Sequence, residues 1–193
     1  MATKIDRNGQ AMAIKSTIFK LDLNIADNRR GYYEDHSLTL AKHPSETNQR
    51  MILRIAVFAL NAHEHLQFTK GLSDADEPDM WQKDLTGEIK HWIELGQPHE
   101  KRIRQACGKS SSVSIYTYQR GAAQNWFEGM KDALERFKHL RVIHLTGTDE
   151  PGCERLVDRS MKLSCLIDDQ QILLSSDQDN VSIEMTVLKD VLR

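Results

Sequence analysis

Residues 78–98 read PDMWQKDLTGEIKHWIELGQP. Within it, residues 79–95 (DMWQKDLTGEIKHWIEL) read as two strands about a turn at Thr86-Gly87, taken to pair antiparallel. Antiparallel pairing keeps the sum of opposed residue numbers constant. Asp79 and Glu94 satisfy the same sum as Thr86 and Gly87, so the register sets them opposite each other with Cβ atoms roughly 5 Å apart. Two carboxylates that close repel unless one is protonated or both share a cation, and a hard divalent ion such as Mg²⁺ suits them. The plainer alternative is that Asp79 ends a loop and Glu94 pairs with a basic residue.

Upstream, residues 12–25 alternate apolar and polar and predict a long strand. Asp27–Gly31 (DNRRG) supplies a turn, and Tyr32–Ala41 predicts the return strand. Pro44-Ser45 opens a helix with Ser45 as N-cap and Glu46 set against the dipole. Its core, Met51–Leu60, is apolar nearly all round, which predicts deep burial against a sheet. Thr69–Pro78 reads as a loop. Downstream, Pro98–Cys107 predicts a helix begun by Pro98 and stopped by Gly108. Strand Val113–Tyr118, helix Ala122–Phe137, strand Arg141–Leu145 and a short helix near Asp149–Asp158 follow, then β-like runs at 161–167, 171–175 and 181–188. This alternation favours one α/β (α+β) domain over residues 1–193, with a mixed sheet flanked by helices, an N-terminal hairpin and a β-rich C-terminal segment.

The chain has 193 residues, 39% of them hydrophobic, which is enough for a substantial core. Met51–Leu60 is too short for a bilayer span, which needs about 20 apolar residues, and Arg54 interrupts it. The first ten residues, MATKIDRNGQ, lack the apolar core of a secretory signal. Cys107, Cys153 and Cys165 contain no CxxC pair, which argues against a multi-cysteine zinc site and a disulfide scaffold. These features predict a reduced, cytoplasmic protein with no membrane partner.

The net charge of −2 resolves into blocks. Residues 1–71 carry 10 basic and 7 acidic side chains and residues 72–96 carry 2 and 7. Residues 97–146 carry 9 and 4, and residues 147–193 carry 5 and 10. The acidic block holds Asp79 and Glu94, and the basic block after it is where phosphate contacts would fall. A near-neutral total argues against non-specific coating of DNA. GxGxxG, Walker A and GxSxG motifs are absent from the sequence. His63-Glu64-His65 places its histidines at i and i+2, on different helix faces, unlike the HExxH zinc pattern. Tyr116 and Tyr118 share a strand face and either stack on bases or pack in the core.

The Pro-Asp followed by a strand glutamate, after a long buried helix, resembles the PD-(D/E)XK nuclease superfamily. The longer blocks HPSETNQRMILRIAVFALNAHEHLQFTKGLS, DEPDMWQKDLTGEI and HWIELGQPHEKRIRQACG, with the Tyr-Thr-Tyr strand, resemble the YaeQ family of bacterial proteins from about residue 12 into the last strands. The resemblance implies a restriction-endonuclease-like core and a suggested involvement in transcription elongation or antitermination. It also implies Mg²⁺ held by Asp79 and Glu94, with Glu64 as a further acidic ligand. The superfamily's water-activating lysine falls at Gly96, a departure that puts catalysis in doubt. Lys90 lies about 13 Å back along the strand, so Lys101 in the next helix is the better substitute. Gln97 either contacts a metal-bound water or a phosphate, or closes the turn before Pro98. Arg102, Arg104 and Lys109 are candidate nucleic-acid contacts. Two functions follow as expectations: a Mg²⁺-dependent phosphodiester hydrolase, or a non-catalytic protein that binds nucleic acid or the transcription machinery on the same scaffold.

Overall fold

The computed structural model describes residues 16–70 and 76–191. The predicted stretch 12–15 and the loop residues 71–75 therefore lie outside the described residues. The opening hairpin forms as expected: β1 (Thr17–Asp27) pairs antiparallel with β2 (Tyr32–Lys42), from Thr17↔Lys42 to Asp27↔Tyr32. Alternate β1 side chains Phe19, Leu21, Leu23 and Ile25 are buried, so the alternation in the sequence becomes an inner and an outer face.

Helix α1 (Asn48–Leu60) starts later than the sequence suggests. Its N-cap is Thr47, whose hydroxyl accepts from Arg50 N at 3.1 Å, whereas the Ser45 hydroxyl is bound to His43 Nδ1 at 2.6 Å. Every residue from Arg50 to Leu60 is buried. Removing an aliphatic side chain of that size from water contributes roughly 1.5–3 kcal/mol, so burial on all faces, rather than helix propensity, stabilises α1.

The rest of the chain supplies β3 (Leu66–Phe68), β4 (Met80–Lys83), β5 (Ile89–Leu95), α2 (Glu100–Lys109), β6 (Ser110–Thr117), α3 (Arg120–Glu135), β7 (Leu140–Thr146), α4 (Glu150–Arg155), β8 (Ser160–Asp168), β9 (Gln171–Ser175) and β10 (Asn180–Lys189). The three-residue β3 is too short to leave a periodic signal. Helix α2 is displaced from the expected span. His99 caps it through Nδ1, which accepts from Arg102 N at 3.1 Å, and the Pro98 carbonyl is taken by Trp126 Nε1 at 2.9 Å, outside the helix. Gly108 sits within the last turn instead of ending it.

All ten strands join one mixed sheet in the order β2-β1-β8-β9-β10-β7-β6-β5-β4-β3. β1 runs parallel to β8, and β5, β6 and β7 run parallel to one another, while the remaining neighbours are antiparallel. One apolar cluster takes residues from α1 and from every strand. The expected mixed sheet forms, and it curls around α1. A second cluster covers the outer face of β5–β7 with α2 and α3, through Trp92, Ile103, Val113, Ile115, Leu134 and Val142. The two sheet edges, β2 and β3, approach across α1. Phe58 lies 5.5 Å from the His36 ring of β2 and 5.0 Å from the Phe68 ring of β3. Arg54 closes the seam, donating to the Ala41 carbonyl with its guanidinium 5.5 Å from the Phe68 ring centre.

Candidate functional site

The expected register is realised in the body of the hairpin, where Met80 opposes Ile93, Trp81 opposes Trp92 and Gln82 opposes His91. It breaks at Asp79. The Asp79 N–H donates to the Ile93 carbonyl at 3.1 Å, one residue short of Glu94. That slip frees Asp79 from the shared outer face, and the two carboxylates are claimed by different helices.

Asp79 is 4% exposed and turns toward α1. Its Oδ1 accepts from Arg50 Nη2 at 2.7 Å and its Oδ2 from the Leu95 N–H at 2.8 Å. Arg50 also donates to Glu46 at 2.9 Å and to the Leu95 carbonyl at 3.0 Å, and Arg54 donates to the second Glu46 oxygen at 3.2 Å. Burial opposes the charge on Arg50, but Asp79 and Glu46 outweigh it and raise the pKa. Burial lowers that of Arg54, whose Nε is buried without a partner.

Glu94 points outward, beneath α2. One of its oxygens accepts from Trp92 Nε1 at 2.7 Å and from Arg102 Nε at 2.6 Å. Burial pushes the Glu94 carboxyl above the usual range, Arg102 and Trp92 pull it back, and the charge of Asp79 adds to the rise. The Arg102 guanidinium also donates to the Glu77 carbonyl and lies 5.2 Å from the Trp92 ring centre.

The remaining sequence candidates are dispersed. Glu64 follows the far end of α1, exposed beside His65; ten helical residues separate that end from Arg50, about 15 Å. It is not brought to Asp79 and Glu94. Gln97 donates to the Tyr118 carbonyl at 2.7 Å and so ties the ends of β5 and β6 together. Lys101 is exposed and, among the described residues, makes no hydrogen bond or ion pair. Its neighbour Arg102, not Lys101, reaches the acidic residues. Arg104 pairs with Glu100 at 2.8 Å, Arg136 joins the same carboxylate, and Lys109 is exposed in the last turn of α2. Tyr116 is buried and hydrogen-bonded to Asn61, a core role rather than a stacking platform.

A family model described as YaeQ protein matches residues 12–185. The chain belongs to the YaeQ family. It is 41% identical over 175 residues to YaeQ of Escherichia coli (strain K12), covering 91% of this chain and 97% of that protein. YaeQ of Salmonella typhi gives the same identity and coverage. The crystal structure of YaeQ from Xanthomonas axonopodis pv. citri superposes with a TM-score of 0.84 at 40% identity, covering 90% of this chain and 98% of that one. YaeQ from Pseudomonas syringae superposes at 0.82 and 31% identity, covering 91% and 97%. No helix among the described residues of this YaeQ-family chain is long and apolar enough to cross a membrane.

The donor set decides how well a divalent ion fits. Glu46, Asp79 and Glu94 are matched by Arg50, Arg54 and Arg102. Both Asp79 oxygens are occupied, and one Glu94 oxygen takes two donors. This is a closed ion-pair network rather than an open ligand set, and among the described residues no group of three or more His, Cys, Asp and Glu converges as metal ligands. The arrangement does not fit Mg²⁺ as it stands. Gly96 adds to this: its φ of +124° is a conformation that L side chains rarely adopt, so the backbone itself disfavours a lysine there. Sequence reasoning missed Arg50, Glu46 and Arg54. Their signal was present, as two arginines and a glutamate in and beside an otherwise apolar helix, because charges that deep are buried only with partners.

Proposed function

We propose that this protein is a non-catalytic nucleic-acid-binding member of a nuclease-like scaffold. The order α1, antiparallel β3-β4-β5, α2 and then β6 parallel to β5 supports placing it near the PD-(D/E)XK nucleases. The motif acids keep their positions but not their chemistry. The observation that carries this reading is the arginine pairing of both, Asp79 with Arg50 and Glu94 with Arg102. Glu94 then serves to fix α2 on the sheet. The outer side of α2, extended by the end of α3, presents Lys101, Arg104, Lys109 and Arg136 around the acid Glu100. Such a surface suits a phosphate backbone, while Arg102 is engaged by Glu94. A part in transcription elongation would follow from binding of this kind.

The test is fluorescence anisotropy with labelled single- and double-stranded DNA and RNA. It compares the wild type with a Lys101→Ala/Arg104→Ala/Lys109→Ala variant over a salt series. Binding that weakens across sequences, with a salt slope reduced by about one for each phosphate-bound side chain removed, supports the reading. Mg²⁺- or Mn²⁺-dependent cleavage that disappears in Asp79→Ala would overturn it in favour of a hydrolase.

A further inference from the structure

A cavity of about 350 Å³ opens at the carboxyl ends of β6 and β7, between the start of α1 and the start of α3. In sheets with parallel strands this edge is where ligands commonly seat, and the volume lies within the range of small-molecule sites. Gln49, Tyr118, Arg120, Thr146, Thr148 and Glu184 are among its lining residues. The floor is shaped by Gly147 at φ +88°, where an added Cβ would stand 2.9 Å from the Ser182 carbonyl oxygen, so no larger residue fits without moving β10.

The lining carries opposite charges, Arg120 and Glu184. Among the described residues, the side chains of Arg120 and Glu184 form no hydrogen bond or ion pair, although both are exposed where they border the cavity. Elsewhere in this protein, exposed arginines near acids find partners, as Arg104, Arg136, Arg141 and Arg155 do. Thr146 and half-buried Tyr118 line the same cavity, with Tyr118 also bonded to Arg50. A ligand complementary to this lining has an anionic group, hydroxyl or amino donors, and a flat face.

We propose that the cavity binds a mononucleotide unit. Arg120 holds the phosphate through charge-assisted hydrogen bonds, Glu184 accepts from ribose hydroxyls, and the base lies against Tyr118. The same chemistry is offered by a free nucleoside monophosphate and by the 5′-phosphorylated end of a nucleic acid. The site is separate from the basic face of α2 and does not depend on it.

The test is isothermal titration of the full chain with 5′-AMP, adenosine, and 5′-phosphorylated and 5′-hydroxyl RNA pentanucleotides. Expected is saturable binding of AMP that adenosine lacks, weakened at least tenfold by Arg120→Gln and by Glu184→Gln with unchanged circular dichroism. The Lys101→Ala/Arg104→Ala/Lys109→Ala variant should bind AMP as the wild type does. Tighter binding of the phosphorylated than the hydroxyl pentanucleotide, and tighter than AMP, identifies the nucleic-acid end as the source, while the reverse identifies the free nucleotide. No saturation by AMP or the phosphorylated pentanucleotide up to about 1 mM, a Kd equivalent to only about 4 kcal/mol, overturns the proposal. So does binding that survives both substitutions.

Discussion

Arg50 holds α1, β4 and β5 together through Glu46, Asp79 and the Leu95 carbonyl. Breaking a buried ion pair from one side leaves the other charge unpaired, at a cost of about 3–5 kcal/mol. Arg50→Met should lower stability by that amount in urea unfolding, and Arg50→Met/Asp79→Asn should lose less than the sum of the two single changes. His91 gives a pH prediction. Burial first, and then Arg141, push its pKa down to about 4, and its Nε2 lies 2.8 Å from the Ser114 hydroxyl. A histidine whose folded pKa lies below the ordinary value of about 6.5 contributes stability that is present above that value and lost as pH falls toward 4. The wild type should lose on the order of 3 kcal/mol across that window from this group. His91→Gln, measured by the same unfolding series, should show a flatter profile there.

The link between β5 and α2 is where the nuclease motif departs from its pattern, and it can be tested by restoring the residue. Gly96→Lys places a side chain at φ +124°, so it should destabilise by about 1–3 kcal/mol in thermal unfolding and produce no Mg²⁺-dependent cleavage. A gain of cleavage would show that the arginine network opens more easily than its geometry suggests. The strands other than β3, and α3, were legible because alternation and apolar period survive in single sequences. The hairpin was legible from its turn. Its register beside the turn is one residue off, with Lys83 opposite Ile89, and a bulge restores the expected pairing from Gln82 onward. The slip at Asp79 was not legible: its carboxylate there meets Arg50, 29 residues away, a contact that no local pattern announces. Nor was the cap at Thr47, because Ser45 and Thr47 are equivalent as sequence signals and only the His43 contact separates them. The pairing of β1 with β8 has no sequence signature at all.

The wrapped sheet makes the seam between β2 and β3 the place where the whole molecule should yield first. Phe58 bridges the two edges, and removing a buried phenylalanine costs about 3–5 kcal/mol. Phe58→Ala should raise amide exchange in β2 and β3 well above that in β6 and β7, read by hydrogen-exchange mass spectrometry. Uniform acceleration in all strands would show instead that the sheet opens as one unit.

The parallel pairing of β1 with β8 also has a consequence for how the protein is made. Leu21 lies beside Met161, so the first strand waits for almost the entire chain to be synthesised before it finds its neighbour. Until then α1 has half of its enclosure, and its apolar surface is open to other molecules. Contacts this distant in sequence close slowly. The interval between translation of α1 and arrival of β8 is therefore when this protein most needs a chaperone, and when a ribosome stalled before residue 160 would leave its most aggregation-prone product.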